Sequence, residues 1–316
     1  MITFSGKVTS QLSTEEFEQI STLFSAVFSK HASVREFRAK YRSPHQNESY
    51  HALMKNDTGL LLGFMAIIPF TYSFFGTKAV FGNLVDLMIH PDCRKDITLM
   101  KKMYDAALGL TGNAVDFLYA IPNRNPYLYF KKILGWREIG QLHYFALPLT
   151  VSKLSPRFTG LDFVSKTAAM VLNRLPLPVK ASRIEKPVTR ERTPAFDAYR
   201  FPPRYRKIER SGQYAWYIIV NEESATTAYL IDVWPLYGPW LRDVIRTIWR
   251  NERRAIDLVL YVGTEIPCVP NLFEVPPRYE PRALPFIGKV INSGNVDDRI
   301  HHISHWQFNL SDFDVR

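Results

Sequence analysis

The chain has little cysteine and no long uninterrupted apolar run. Only Cys93 and Cys268 occur among its 316 residues, and no CxxC pair is present. Two cysteines cannot form the disulfide framework of a small secreted domain. The apolar run that starts at Gly59 is broken by Pro69 and is too short to cross a bilayer. Because the N-terminus also lacks the charged-then-apolar pattern of a secretory signal, we expect a soluble, cytoplasmic protein.

Glycine is missing from a segment where its presence would be informative. An apolar, strand-like segment ends at His90-Pro91, passes through a basic turn and opens a helix, and no glycine lies between Pro91 and Met103. A helix N-terminus that follows a strand is a common phosphate site, since its N–H groups and the helix dipole favour an anion. Glycine normally lets the backbone approach such a ligand. The segment therefore predicts either a phosphate site that relies on side chains or a site that has lost its function.

Apolar residues and positive charge are abundant. Hydrophobic residues make up 46% and aromatic residues 14%, which favours a folded globular protein over a disordered one. A length of 316 residues favours two folded units. The formal net charge of +10 is compatible with nucleic acid, an anionic membrane surface or an anionic small molecule as a partner.

Much of the excess charge lies in one stretch, residues 180–210. It holds four acidic residues and ten basic ones: Lys180, Arg183, Lys186, Arg190, Arg192, Arg200, Arg204, Arg206, Lys207 and Arg210. Few aromatic residues, among them Tyr199, Phe201 and Tyr205, interleave with them and no nucleic-acid motif appears, so we expect no nucleic-acid partner. A solvated linker, or a cover over an anionic nucleotide-sugar or coenzyme site, fits better. Peripheral membrane contact stays open, because an amphipathic helical segment lies just before the stretch.

Residue periodicity predicts a mixed α/β (α+β) fold with a mostly antiparallel sheet flanked by helices. Ser13 to Lys30 has helical spacing, and Ser13 and Glu16 form a capping box. Further elements are expected in this order: a short basic helix, two strands joined at Asn56-Asp57, a strand ending at His90, a helix from about Arg94 to Leu110, a strand, a short helix ending at Gly135, and a closing pair of strands to Leu149. After residue 200 the order strand, strand, helix, strand partly repeats this plan.

Three segments resemble the GCN5-related N-acetyltransferases (GNAT), which use acyl-CoA. The first is similar to the family's strand, coenzyme loop and helix, and reads "VDLMIHPDCRKDITLMKKM". The others are similar to the next strand with its Pro-Asn turn and short helix, and to the strand after that, and read "DFLYAIPNRNPYLYFKKILGW" and "REIGQLHYFALPL". The C-terminal "LFEVP" and "HWQFNLSDFDVR" resemble parts of bacterial two-half members linked with surface polysaccharide synthesis.

The resemblance implies three regions. Residues 1–150 would be an acyl-CoA N-acyltransferase-like domain, residues 151–195 a helix and basic linker, and residues 196–316 a second, smaller, degenerate acetyltransferase-like domain. The implied co-substrate is acetyl-CoA or another acyl-CoA, without a metal. Its pantetheine arm would lie along the strand that ends at His90, bonded to the backbone at about Met88 and Ile89.

The resemblance also places the pyrophosphate on the helix that follows this strand. The family usually has Arg-Gly-x-Gly there, and this chain has Arg94-Lys95-Asp96-Ile97 followed by Thr98. Arg94, Lys95 and the Thr98 hydroxyl are therefore expected to bind phosphate by side chain, whereas Asp96 brings an opposing negative charge.

Further coenzyme and catalytic candidates follow from the same resemblance. Asn123 and Asn125 match an asparagine that contacts the coenzyme, although ordinary turn chemistry explains both equally well. Asp86 is a candidate base, unless it faces solvent or pairs with an arginine. His90 suits acid–base chemistry, unless it only precedes the proline of a turn. Tyr129 is the candidate donor to the thiolate, although the family's tyrosine position corresponds to Lys131 here and both Tyr127 and Tyr129 could simply pack the short helix.

The resemblance implies an acyl-CoA-dependent N-acyltransferase acting on the amine of a small polar acceptor. The resemblance suggests an amino sugar for surface polysaccharide. Two alternatives stay open: a non-catalytic binding or assembly module, and an aminoacyl transferase that uses charged transfer RNA and has only the basic stretch in its favour. The triplet His301, His302 and His305 lacks an HExxH glutamate, so we expect no metal site.

Overall fold

A computed structural model describes residues 1–153 and 158–313. Seven helices lie in these ranges: α1 (Thr14–Phe28), α2 (Val34–Lys40), α3 (Ile97–Thr111), α4 (Arg124–Lys132), α5 (Asp162–Arg174), α6 (Pro194–Arg200) and α7 (Gly238–Glu252). The strands are β1 (Thr3–Val8), β2 (Tyr50–Lys55), β3 (Leu61–Phe74), β4 (Thr77–Ile89), β5 (Phe117–Ala120), β6 (Arg137–Gln141), β7 (His143–Pro148), β8 (Val188–Arg190), β9 (Arg206–Arg210), β10 (Gln213–Asn221), β11 (Thr226–Trp234), β12 (Leu258–Gly263), β13 (Phe273–Glu274), β14 (Pro285–Val290) and β15 (Trp306–Gln307). Among the described residues, no helix has the length and apolar character needed to cross a membrane.

The chain forms two compact units that interleave along the sequence. The first unit contains Met1–Gly140, Val188–Arg200 and Pro285–His302. The second contains Gln141–Pro187, Phe201–Leu284 and Ile303–Arg316. The sequence predicted three continuous regions with boundaries at residues 150 and 195. These regions differ from the interleaved compact units, and the division into folding domains stays a prediction.

The sheet of the first unit has the order β1-β2-β3-β4-β5-β14-β6. Strands β1 to β4 are antiparallel neighbours, β4 and β5 are parallel, and β5 and β14 are antiparallel. The predicted fold class, a mixed and mostly antiparallel sheet flanked by helices, is confirmed. The predicted closing pair of strands is corrected: β14 arrives from a distant part of the chain to take the position beside β5, and β7 pairs in the second unit instead.

Helix α3 covers one face of this sheet. Its residues Leu99, Met103 and Ala107 are buried in a cluster with alternate residues of the strands, among them Ala52 and Ile67. This alternation arises because successive side chains of a strand point to opposite faces. The helix begins at Ile97 and not at about Arg94 as the sequence suggested, because the Asp96 side chain caps it and accepts a hydrogen bond from the Thr98 N–H.

Helices α1 and α2 both begin with capping boxes. The Ser13 hydroxyl accepts from the Glu16 N–H while the Glu16 carboxylate accepts from the Ser13 N–H, as predicted. Ser33 and Glu36 form the same motif at α2. Glu16 also pairs with Lys7 and with Lys55, each at 2.8 Å. Burial acts against ionisation of Glu16, but these bonds prevail and lower its pKa to about 2. One carboxylate thus fixes the start of α1 against two strands.

The sheet of the second unit has the order β13-β7-β12-β11-β10-β9. Helix α7 packs on it through apolar residues at helical spacing: Leu241, Val244, Ile245, Ile248 and Trp249. The order of β10, β11, α7 and β12 is the predicted partial repeat of the first half. The C-terminal residues 306–310 are buried, and Trp306 and Gln307 form strand β15.

The predicted basic linker also holds regular structure. Strand β8 pairs with the far end of β3, where Val188 lies opposite Phe74 and Arg190 opposite Tyr72. Helix α6 follows it within the first unit. Helix α5 agrees with the amphipathic segment expected between Gly160 and Pro176.

A buried histidine lies under α2 in the first unit. The His51 ring stacks on Phe64 with ring centroids 5.5 Å apart and meets Tyr41 edge-on at 4.8 Å. Its Nε2 lies 2.9 Å from the Thr9 hydroxyl oxygen. Burial lowers the pKa of His51 from 6.5 to about 3, so the imidazole is neutral in the folded protein.

His51 should make stability depend on pH. Between pH 6.5 and about 3 the unfolded chain binds a proton that the folded chain does not, so the free energy of unfolding should fall by up to about 1.4 kcal/mol per pH unit as the pH drops. Urea unfolding from pH 7 to pH 4 measures this slope. His51→Phe, which keeps an aromatic ring on Phe64, should flatten it, and His31→Phe at an exposed position should not. An unchanged slope in His51→Phe would contradict the assignment.

Candidate functional site

Strands β4 and β5 separate in the middle of the first sheet. Their parallel pairing runs from Phe81 opposite Phe117 to Asn83 opposite Tyr119. Beyond these residues no pairing between the two strands occurs within the described part of the chain, while β4 continues to Ile89 on β3. The strand holding residues 85–90 therefore separates from the strand holding residues 117–121. The β4 edge beyond Asn83 lines a gap between the two strands, which we call the β4–β5 gap.

A bulge in β4 lies where this gap opens. Ala66 of β3 pairs with Val85 and Phe64 pairs with Met88, so Met65 alone lies opposite two residues of β4. One of those two is Asp86, whose φ is +50°. Positive φ is uncommon for a residue other than glycine and is found most often in Asn, Asp and His. A bulge bends and twists its strand, and this one coincides with the departure of β4 from β5.

The backbone at the end of β4 faces the gap. The His90 N–H donates to the Leu62 carbonyl at 2.8 Å, so the backbone groups of His90 point toward β3. Since successive residues of a strand alternate between its two edges, those of Ile89 point toward the β4–β5 gap. The Ile89 carbonyl there accepts a hydrogen bond of 3.0 Å from Arg94 Nε. Of the two residues predicted to bond the pantetheine arm, Ile89 thus faces the gap and Met88 is fully buried.

The Asp86 carboxylate is held by two side chains from α2 and its C-terminal end. Lys40 Nζ lies 2.7 Å from Oδ2 in an ion pair whose side chains are 8% and 6% exposed. The Tyr41 hydroxyl donates to the same oxygen at 2.7 Å. The alternatives to a catalytic role were a solvent-facing or an arginine-paired carboxylate, and the partner is a lysine instead. Lys40 and Tyr41 were not among the predicted site residues, because only the basic character of their helix was visible.

The loop after β4 has a negatively charged side chain, that of Asp96, at the start of α3. Asp96 Oδ1 accepts from the Thr98 N–H at 2.9 Å and from the Thr98 hydroxyl at 2.7 Å, and these bonds lower the pKa of Asp96. The Thr98 hydroxyl, predicted to bind phosphate, is therefore bonded to Asp96. Arg94 and Lys95 are exposed beside it. His90 lies in a turn, with its Nδ1 3.4 Å from Asp92 Oδ2.

Helix α4 adjoins the first turn of α3. The Tyr129 hydroxyl donates to the Ile97 carbonyl at 2.7 Å, and burial raises the pKa of Tyr129. Tyr127 donates instead to Glu138 at 2.7 Å. Asn123 is the residue before α4 and Asn125 is exposed in its first turn. Tyr129 thus lies next to the loop between β4 and α3, whereas Tyr127 bonds away from it.

The residues at the gap fit an elongated anionic ligand in part. The edge of β4 at Ile89 has backbone groups directed at the gap, and Arg94 and Lys95 supply positive charge at the loop. The end of α3 is less suitable than usual, since Asp96 already bonds the Thr98 N–H. Side chains, and not the helix N-terminus, would therefore hold a diphosphate here.

Comparisons with known proteins agree with this architecture. Residues 9–138 match the family model described as an acetyltransferase (GNAT) domain. That segment, which includes α1, β4, the loop and α4, is a GNAT acetyltransferase domain. It accounts for 130 of the 316 residues. No curated protein gave a significant match.

Solved structures resemble a larger part of the chain. A GCN5-related N-acetyltransferase from Anabaena variabilis matches with a TM-score of 0.58 and 13% identity, covering 92% of this chain and 73% of that one. A probable N-acyltransferase from Enterococcus faecalis matches with a TM-score of 0.56 and 11% identity, covering 92% and 73%. N-myristoyltransferase of Saccharomyces cerevisiae, solved with bound myristoyl-CoA, matches with a TM-score of 0.54 and 12% identity, covering 94% and 82%. At such identities the likeness shows the fold, which extends over most of the chain.

The histidines considered for a metal lie away from the gap. His301 is buried with its ring edge-on to Phe117, and burial lowers its pKa to about 4. Within residues 1–153 and 158–313, no group of three or more metal-ligating side chains is close enough to hold an ion.

Arg94 should be the main phosphate contact. A charge-assisted hydrogen bond contributes about 1.5–3 kcal/mol, so Arg94→Ala should weaken acetyl-CoA binding by roughly tenfold to a hundredfold. Asp96→Asn should tighten binding, because asparagine caps a helix as well as aspartate does but carries no charge. Calorimetric titration at fixed salt measures both.

The exposed Arg35 in α2 offers the matched control, and Arg35→Ala should bind acetyl-CoA as the wild type does. Equal binding by the wild type and Arg94→Ala would place the phosphate elsewhere. Binding that appears only in Asp96→Asn would mark the loop as a decayed site and favour the non-catalytic alternative.

Proposed function

We propose that the first unit is an acyl-CoA-dependent N-acyltransferase. The observation that carries this proposal is the β4–β5 gap, which opens at the Asp86 bulge and leads to a basic loop at the start of α3. An acylated pantetheine arm needs an extended channel with backbone groups on one side, and the Ile89 edge supplies them. The GNAT match of residues 9–138 supports the same activity.

The proposed reaction is direct transfer of the acyl group from the thioester to an amine. The new C–N bond forms as the C–S bond breaks, the amine loses a proton to a base, and the thiolate gains one. Asp86 is the proposed base, since it lies where the gap opens, with Lys40 and Tyr41 fixing Oδ2. Tyr129 is the proposed donor to the thiolate, for which its hydroxyl must leave the Ile97 carbonyl. In this arrangement His90 shapes the turn and takes no proton.

The acceptor is proposed to be the amine of a small polar molecule, with an amino sugar for surface polysaccharide as the candidate. A carboxylate at the gap favours an acceptor that arrives as an ammonium ion. The sugar and the polysaccharide role rest on the resemblance of the C-terminal residues to two-half bacterial members of the family. The alternative is a non-catalytic module with the same fold, and a glycine-free loop capped by Asp96 is the observation in its favour.

Variants of the Lys40–Asp86 pair distinguish a catalytic role of Asp86 from a structural one. Asp86→Asn should reduce kcat for acetyl transfer to an amine by a hundredfold or more. It should also destabilise the unit by on the order of 3 kcal/mol, because it removes the carboxylate charge that is paired with the buried Lys40 ammonium group. The double variant Lys40→Met with Asp86→Asn should recover most of the stability without recovering kcat. Thermal unfolding and steady-state kinetics give the two readouts.

A matched control is the exposed pair of Lys101 and Asp105 on α3, which lie 2.6 Å apart. Asp105→Asn should change neither stability nor kcat appreciably, since surface pairs contribute little. A stable double variant of Lys40 and Asp86 with wild-type kcat would remove Asp86 from the mechanism.

We also propose peripheral contact of the second unit with an anionic membrane surface through α5. The structure has few exposed large apolar side chains, yet several are on this helix or at its ends: Leu161, Phe163, Val164, Val171 and Leu175. Phe163 is 79% exposed. Lys166 and Arg174 are exposed on the same helix. An apolar face with basic neighbours favours the interface of an anionic bilayer.

Vesicle sedimentation tests this contact. The full chain should sediment with vesicles containing about 30% anionic lipid and much less with neutral ones. Replacing Phe163 and Val164 by serine should reduce the bound fraction severalfold, because both side chains would otherwise insert. Leu60→Ser, at an exposed leucine in a turn of the first unit, is the control and should bind as the wild type does. Equal binding by all three proteins would contradict the role of α5.

A further inference from the structure

The second unit contains the same strand separation as the first. Strands β11 and β12 are parallel and pair from Thr227 opposite Leu258 to Leu230 opposite Tyr261. Beyond these residues their pairing ends, although β11 continues to Trp234 and β12 to Gly263. Helix α7 connects the two strands, as α3 connects β4 and β5.

A bulge marks the separation here too. Tyr217 of β10 pairs with Leu230 and Trp216 pairs with Asp232, so Ile231 of β11 has no opposite residue. The bulge therefore precedes an aspartate, whereas the bulge of the first unit contains one. Asp232 is 1% exposed. The two units therefore share one arrangement. A strand with an antiparallel neighbour on one edge has a bulge at or next to an aspartate, and near this bulge its pairing with the parallel strand on the other edge ends.

The chain's own C-terminal segment lies between these separated ends. Asn309 forms an antiparallel bridge with Gly263 at the end of β12. The Thr264 N–H donates to the Phe308 carbonyl at 3.0 Å. On the other side, the Asn309 side-chain amide donates to Asp232 Oδ1 of β11 at 2.9 Å. The segment thus bonds to both strands through one residue and its neighbours.

The fit of this segment is close. Residues 306–313 are all buried. A side chain at Gly263 would place its Cβ 2.8 Å from the Phe308 carbonyl, which is too close for any residue but glycine. The side-chain Oδ1 of Asn309 accepts from the Ser311 N–H at 2.9 Å, and the Asn309 backbone N–H donates to the Asp312 carboxylate at 2.9 Å. The backbone and the side chain of Asn309 therefore both form hydrogen bonds.

We propose that the separated ends of β11 and β12 form a second strand-binding slot, that residues 306–313 of the same chain fill it, and that one chain therefore binds a single acyl-CoA. The slot takes an extended peptide by backbone pairing, as sheet edges do. It holds the place that the β4–β5 gap provides for a pantetheine arm. The statement about acyl-CoA rests on the proposed function, whereas the filling of the slot does not.

Amide hydrogen exchange of the full chain tests the filled slot. Asn309→Asp replaces the donor to Asp232 by a second carboxylate, and the repulsion should displace the segment. The amides of Thr264, Asn309 and Asp312 should then exchange at least about tenfold faster than in the wild type. Asn295→Asp is the matched control, because Asn295 donates to the buried Asp116 of the first unit at 3.1 Å in the same manner. It should leave the exchange of residues 306–313 unchanged.

A second experiment compares the melting temperature of a chain that lacks the segment, with and without the segment added as a synthetic peptide. A chain ending at His305 should melt at a lower temperature than the full chain, and a synthetic peptide of residues 306–316 should raise its melting temperature. The same peptide with Asn309→Asp should not. If that chain does not fold, the exchange comparison decides alone. Wild-type exchange in Asn309→Asp would overturn the proposal.

Binding stoichiometry addresses acyl-CoA separately. Titration of acetyl-CoA into the full chain should give one site per chain, and two sites would overturn the statement that the second slot is closed. No binding at all would count against the proposed function of the first unit, while the exchange result would still decide whether the slot is filled.

Discussion

The bulge at Asp86 is the constraint on which the arrangement of the first unit depends. An extra residue in β4 turns the strand away from β5 while its other edge keeps its bonds to β3. A separated pair of strands leaves backbone groups exposed inside a sheet, an arrangement that ordinary sheets avoid because unpaired buried groups are costly. At the bulge, Lys40 at the end of α2 and Tyr41 directly after it bond the buried Asp86 carboxylate, which compensates the charge that the bulge places there.

The two units respond to the same constraint in different ways. In the first, the exposed β4 edge ends at a basic loop, and the Arg94 side chain donates a hydrogen bond to this edge at Ile89. In the second, a buried segment of the chain satisfies the separated ends through backbone bonds and Asn309. A strand bulge of this kind is thus compatible with either a ligand or a peptide, and the residues available nearby decide between them.

Local signals in the sequence were sufficient for most elements of the first unit. The capping box of Ser13 and Glu16, the apolar run of β4 and the turn after His90 each depend on residues within a few positions. Strand neighbours depend on distant residues, so neither the insertion of β14 beside β5 nor the transfer of β7 to the other sheet could be predicted. The Asp86 partner was missed for the same reason, since Lys40 belongs to a helix far from it in sequence. The predicted start of α3 at about Arg94 is wrong because the Asp96 side chain caps the helix, so the helix begins at Ile97.

The position of β14 has a consequence for how the chain is made. This strand is synthesised after almost all of the second unit, yet it pairs with β5 in the first sheet. During translation the edge of β5 that faces away from β4 therefore remains unpaired until residues 285–290 leave the ribosome. The gap next to β4 cannot take its final width before then, since β5 lacks a neighbour on its other side. Premature termination anywhere before β14 would leave a first unit with an open sheet edge, and such a fragment would be a target for chaperones and proteases before it could bind any coenzyme.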